Sequence, residues 1–166
     1  RKQIAGQYKS TSMIFHLRRV IRKLKLGKIP IRIIFIAQEP MGWKVVDSFY
    51  RACISDSLFM TFVVNVGSLY LDNVKGCSTF FDKNNINYLD GINNRFRLDQ
   101  FTPDIIVLSS PYDDYRPYQY GMTNLLRYAQ LVYITYGIDF ADEAGKLAAW
   151  TFGLDAQRNA WRVFTR

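Results

Sequence analysis

Apolar residues first recur at helical spacing, at positions 14, 17, 21 and 24 of residues 12–26, with 13, 20 and 26 at the margins. Thr11 or Ser12 caps the start, and Gly27 followed by Pro30 ends the pattern. From residue 31 the pattern changes. Residues 31–37 (Ile-Arg-Ile-Ile-Phe-Ile-Ala) are nearly continuously apolar, as a strand buried on both faces requires. Residues 38–43 read as a loop. Val45, Val46, Phe49, Ala52 and Cys53 then return to helical spacing over 43–54. Residues 58–66 predict a second buried strand, 72–84 a helix with Val74, Cys77, Phe80 and Phe81 inward, and 86–89 a short third strand. Asn93-Asn94 marks a turn. Residues 104–110 predict the fourth strand, 111–120 a Tyr- and Pro-rich loop, and 121–129 a helix facing inward with Met122, Leu125, Leu126 and Ala129. Residues 131–135 predict the fifth strand. The tail, 141–166, reads as one or two helices with Trp150, Phe152, Trp161 and Phe164 available for packing.

Strands alternating with helices, and β-branched apolar runs within the strands, predict an α/β fold with a sheet covered on both faces. Five mostly parallel strands in this order fit a doubly wound sheet with strand order 3-2-1-4-5. Ligands of such sheets sit beyond the carboxyl ends of the strands, at the switch point between strands 1 and 4. The loops there are 38–43 and 109–120. The division expected is a basic helical arm over 1–28 and one domain over 29–166.

Charge refines this picture. Residues 1–38 carry ten Lys and Arg and no Asp or Glu, whereas the remainder carries twelve against fourteen. The basicity belongs to the arm and not to the body, which weakens the case that the whole fold binds nucleic acid, and no nucleic-acid partner is expected. Arg18, Arg19, Arg22, Lys23 and Lys25 fall opposite the apolar stripe, as on a solvated basic face, a helix lying on anionic lipid or a helix on nucleic acid. No apolar run approaches the ~18–20 residues that span a bilayer.

The residue inventory removes several chemistries. A lone histidine, His16, excludes His-rich zinc sites, and Cys53 and Cys77 make no Cys-x-x-Cys pair. Two cysteines fit reduced cytoplasmic thiols better than a disulfide framework. No Gly-x-Gly fingerprint or P-loop appears, so no cofactor and no metal are expected.

The densest chemistry lies in residues 109–120, Ser-Ser-Pro-Tyr-Asp-Asp-Tyr-Arg-Pro-Tyr-Gln-Tyr. Tyr112 and Tyr115 offer flat faces for sugar C–H groups. Asp113 and Asp114 can accept from polyol hydroxyls, and Arg116 can clamp a phosphate through its planar fork. Ser110 adds a hydroxyl. The same residues also suit a rigid Pro-bracketed turn in which Asp113 caps backbone amides. In the other loop Gln38 and Trp43 are candidate binding residues. Glu39 is a candidate general base, or a turn residue before Pro40.

These stretches resemble a family. Arg32-Ile-Ile-Phe-Ile-Ala-Gln-Glu-Pro-Met-Gly-Trp43 resembles the first strand and loop of the CDP-glycerol glycerophosphotransferase-like proteins, which include the teichoic-acid polymerases and related capsule enzymes. Pro103-Asp-Ile-Ile-Val-Leu-Ser-Ser-Pro-Tyr-Asp-Asp-Tyr-Arg-Pro117 resembles their Pro-Asp strand and Pro-Tyr-Asp-x-Tyr-Arg-Pro loop. Leu131-Val-Tyr-Ile-Thr-Tyr-Gly-Ile138 and Asn159-Ala-Trp-Arg-Val-Phe164 resemble the next strand and helix, so the resemblance covers residues 28–166. It implies a GT-B enzyme of two Rossmann-like halves, with this chain the N-terminal, acceptor-side half. A nucleotide-activated donor would be held by a C-terminal half outside this chain, and a sugar- or polyol-phosphate acceptor by this one. It also implies a cytoplasmic protein, peripheral on the inner face of a bacterial membrane. The chain departs from the family at Tyr136, where the polymerases carry a histidine. Tyr136 is therefore a candidate binding residue, and Glu39 and Asp113 are the candidate catalytic carboxylates. A non-catalytic binding module of the same fold, docking polymer or membrane, is the alternative.

Overall fold

Residues 31–37 form the central strand of a six-stranded, all-parallel sheet in the computed structural model, which describes residues 17, 21, 30–69, 75–93, 96–135 and 154–164. The strands are β1 (Ile31–Ala37), β2 (Phe59–Asn65), β3 (Leu89–Asp90), β4 (Ile105–Leu108), β5 (Gln130–Ile134) and β6 (Arg162–Phe164). They lie in the order β3-β2-β1-β4-β5-β6. The order steps outward from β1 in both directions, so the switch point lies between β1 and β4, where Ile33 pairs with Ile105 and Ile36 with Leu108.

Alternate side chains of the strands feed two cores, one on each face. Ile33, Phe35, Val63, Val107 and Val132 point to one face. There α1 (Pro40–Ser55) covers them with Trp43, Val46, Tyr50 and Cys53, and α2 (Ser78–Lys83) with Phe81. Ile34, Ile36, Val64, Ile106, Leu108 and Leu131 point to the other. There α3 (Met122–Leu125) supplies Met122 and Leu125, and α4 (Asp155–Asn159) supplies Ala156. The first core is aromatic: Phe35 meets Trp43, Phe49 and Tyr50 edge-on at 5.6–6.1 Å, a geometry the ring quadrupole favours. The second is mainly aliphatic.

Several elements differ from the expected ones. The sheet gains β6, a strand inside the tail expected to be helical. All three of its residues are exposed, so no burial pattern marks it. Trp161 and Phe164 are exposed rather than packed, while Trp150 and Phe152 lie outside the described residues. The helix expected over 43–54 begins at Pro40, because proline lacks the N–H that a first helical turn leaves unpaired. In it Tyr50 is buried and Ala52 exposed. The helix expected over 72–84 is described only from Ser78, and Gly76 at φ +55° cannot continue it upstream. The third strand shrinks to two residues, and Ile86 packs in the core ahead of it. The expected helix over 121–129 is α-helical only to Leu125. Of the arm, Leu17 and Ile21 are helical, and the expected membrane contacts Arg18, Arg19, Arg22, Lys23 and Lys25 lie outside the described residues. Among the described residues, no helix is long and apolar enough to cross a membrane.

Candidate functional site

The chain leaves β4 at its carboxyl end through Ser109 and Ser110, both about 5% exposed. It then makes two single 3-10 turns, Asp113–Tyr115 and Tyr118–Tyr120, before α3. A loop this long beside a sheet brings backbone carbonyls out of water, and each needs a donor. Arg116 supplies them. Its side chain is 2% exposed. The Nε donates to the Tyr120 carbonyl at 3.2 Å, and Nη1 donates to the Ser110 carbonyl at 2.6 Å and to Gln38 Oε1 at 3.2 Å. Nη2 donates to Asp113 Oδ1. Burial lowers the Arg116 guanidinium from its ordinary value, and the neighbouring Asp113 carboxylate opposes that shift. The planar fork meets acceptors in several directions at once, which a lysine cannot do.

Asp113 completes the knot. Its second oxygen accepts the Met122 N–H at 2.8 Å, fixing the start of α3. Gln38 returns a bond, its Nε2 donating to the Tyr115 carbonyl at 3.3 Å, and Leu69 N–H donates to the same carbonyl at 2.9 Å. Tyr120 reaches the far side, where its hydroxyl donates to the Gly91 carbonyl at 2.8 Å. Burial pushes that phenol up to about 12. The segments following β1, β2, β3 and β4 are thereby tied together.

Outside this knot lies a cavity of about 340 Å³, lined by Pro111, Tyr112, Asp113, Asp114, Tyr115, Leu154 and Asp155. The Tyr112 and Tyr115 rings stand 5.1 Å apart at 43°. Every charged side chain in the lining is a carboxylate. Asp114 and Asp155 are exposed, whereas Asp113 is engaged by Arg116 and Met122. The lining thus offers two apolar ring faces, phenolic groups and hydrogen-bond acceptors. It suits a ligand that presents hydroxyls, and it disfavours an anion at this spot.

The candidate residues divide on this geometry. Tyr112, Asp113 and Tyr115 line the cavity together. Arg116, Gln38 and Ser110 are buried in the knot behind it, so the Arg116 donors are used on the protein's own carbonyls. Trp43 stands in the first turn of α1, 1% exposed, packed on Phe81 at 4.7 Å and Tyr50 at 5.1 Å. Its indole N–H donates to Asp47 at 3.1 Å. Glu39 caps α1 at an extended φ of −152°, and its carbonyl accepts the Trp43 N–H at 3.1 Å. Glu39 is absent from the cavity lining, and its charge acts on Cys77. Burial first and that charge second push the Cys77 thiol up to about 12. The two carboxylates expected to share catalysis therefore face different surroundings. Tyr136 lies outside the described residues.

Two lining residues, Leu154 and Asp155, escaped the reading of the loops. Residue 155 stands some forty positions beyond Asp113, and only the chain's return through α4 toward β6 brings it there. Compared with family models, curated proteins and solved structures, the chain matches none of them.

Proposed function

We propose that this chain is the acceptor-side domain of a glycosyl- or glycerophosphotransferase of cell-surface polymer synthesis, working at the cytoplasmic face of a bacterial membrane. Its cavity would hold the hydroxyl-bearing end of a sugar- or polyol-phosphate acceptor. The observation that carries this reading is the cavity lined by Tyr112, Tyr115, Asp114 and Asp155, beside the β1/β4 switch point where doubly wound sheets bind ligands. The acceptor hydroxyl rests between the rings and donates to an aspartate. In transfer, that oxygen forms a bond to the donor's phosphorus or anomeric carbon. The bond to the nucleotide breaks, and the hydroxyl proton passes to the carboxylate. Asp114 and Asp155 suit the proton-accepting role better than Asp113, whose oxygens already take bonds from Arg116 and Met122. The acceptor's phosphate points away from this acidic lining. A second Rossmann-like half would hold the nucleotide donor, so the 166-residue chain alone is expected to release no nucleotide from CDP-glycerol.

The alternative is a non-catalytic module that only holds polymer. Tyr136 at the family's histidine position and the engagement of Asp113 favour it. Asp114→Asn and Asp155→Asn in the complete transferase separate the two. Loss of nucleotide release by about tenfold or more, with retained acceptor binding, supports the catalytic reading. Lost binding with transfer unchanged supports the module, and no effect of either variant removes the cavity from the function.

A further inference from the structure

Three carboxylates, those of Asp113, Asp114 and Asp155, stand in the lining of the cavity, and no basic side chain joins them. Arg116 lies behind the wall and offsets one of the three, Asp113. Asp114 and Asp155 are exposed, and among the described residues neither side chain has an ion-pair or hydrogen-bond partner. Their two negative charges are therefore uncompensated. The Tyr112 and Tyr115 rings, 5.1 Å apart, line the same cavity. The negative π face of such a ring attracts a cation.

An occupant must match these charges as well as fill the space. A neutral sugar or polyol hydrogen-bonds to the carboxylates but brings no opposite charge when it displaces their water. An anion adds repulsion. A bare metal ion needs several converging ligands, and among the described residues no three His, Cys, Asp or Glu side chains are grouped to hold one. A protonated amine carries one positive charge and three donors, so it bonds carboxylate oxygens while its carbon frame lies on the tyrosines. A cavity of about 340 Å³ is at the small end for ligand sites and suits one sugar or polyol unit, not a stretch of polymer. Taking the cavity as the acceptor site, we propose that the unit bound there bears an ammonium group beside its hydroxyls, as an amino sugar or amino polyol does. One carboxylate then holds the ammonium, and the other remains to take the proton of the reacting hydroxyl.

Amide NMR titration of the chain with D-glucosamine, D-glucose and N-acetyl-D-glucosamine tests this at about pH 6, where an amine is protonated and exposed carboxylates are ionised. The three sugars differ at one carbon, which bears an ammonium, a hydroxyl or a neutral acetamide. Glucosamine is expected to shift Tyr112–Tyr115 and Asp155 with an affinity at least about tenfold above that of either neutral sugar, because charge-assisted hydrogen bonds are the stronger. Added salt at about 0.5 M should reduce that preference. Asp114→Asn with Asp155→Asn should bring it within about twofold, while glucose still shifts the cavity, since each asparagine carbonyl still accepts from a hydroxyl. Both side chains are exposed, so thermal unfolding of this variant should stay close to that of the parent. Equal affinity for the three sugars, all shifting the cavity, overturns the ammonium assignment and leaves the acceptor reading standing. A glucosamine preference that survives both substitutions also overturns it, by placing the charge recognition elsewhere. Cavity residues silent to all three sugars overturn the assignment and the acceptor reading together.

Discussion

The loop after β1 uses two residues, Gln38 and Glu39, before α1 starts at Pro40, whereas the loop after β4 runs from Ser109 to Gly121 before α3. Both leave the sheet at the same switch point. The short connection draws the first turn of its helix down onto the sheet. A Cβ added at Gly42 would stand 2.7 Å from Ser109 Oγ, so any larger residue there requires the Ser109 hydroxyl to turn away. One residue later Trp43 has only the core to enter. The long connection stands off the sheet, with Arg116 filling its inside and the cavity opening on its outside. Position at the switch point is thus not enough to make a binding loop. Length decides whether side chains are absorbed by packing or left to meet a ligand, and a long loop then needs an internal donor for its carbonyls.

Removing that donor has the largest expected effect. Arg116→Leu strips the Ser110 and Tyr120 carbonyls of their partner and leaves Asp113 uncompensated. It should cost about 3–5 kcal/mol in urea unfolding. Arg116→Lys keeps the charge but not the fork and should recover only part of that loss. Full stability in either variant would erase the distinction between a loop held from inside and one held by its ends.

Trp43→Phe probes the short connection. It loses the Asp47 hydrogen bond and some core volume, and should cost about 1–3 kcal/mol while leaving acceptor binding unchanged. Weakened binding at unchanged melting temperature would return Trp43 to a ligand-facing role.

Each connection also has a buried acid near it, which gives the comparison a pH signature. Cys77, next to Glu39, rises from 9.0 to about 12, and Tyr120, in the long loop, from 10.0 to about 12. A raised folded-state value means that the folded protein holds these protons longer than the unfolded chain. Stability is therefore full below pH 9 and falls as pH rises toward 12. With one group titrating, the fall approaches about 1.4 kcal/mol per pH unit. Cys77→Ala should make the early part of the fall shallower without abolishing it, because burial also pushes up the Cys53 thiol, which starts from the same ordinary value. Tyr120→Phe should remove the later-titrating group, at a cost of about 1 kcal/mol near neutrality for the lost bond to Gly91. Stability that is flat between pH 9 and 11 would contradict both assignments.

The smallest effect on stability belongs to the cavity. Asp114→Asn and Asp155→Asn should each change unfolding by no more than about 0.5 kcal/mol, since both residues are exposed.

The contrast between the loops also marks where sequence was legible. The central strands were readable because Ile31–Ala37, Ile105–Leu108 and Gln130–Ile134 carry apolar runs that only a two-sided sheet can bury. Strand β6 was not, because Arg162, Val163 and Phe164 are exposed and join the sheet by backbone pairing with β5 alone. Pro40 and Gly42 read as turn signals, yet proline suits a first helical position and Gly42 answers a contact with Ser109 that no local pattern reveals. The Pro-Tyr-Asp-Asp-Tyr run pointed to the cavity wall. The burial of Arg116 was hidden, since an arginine among tyrosines and aspartates has the composition of a surface. Its partners Gln38 and Tyr120 converge only when β1 and β4 are neighbours.

The central claim is that the cavity takes a hydroxyl-bearing group while Arg116 is withheld from ligands. Amide NMR titration of the chain tests it most directly, with a glycerol-phosphate oligomer in one arm and inorganic phosphate in the other. The account predicts oligomer-dependent shifts centred on Tyr112–Tyr115 and Asp155, and none at these positions or at Arg116 with phosphate alone. Phosphate shifts centred on Arg116, with residues 112–115 and 155 silent to the oligomer, would contradict it.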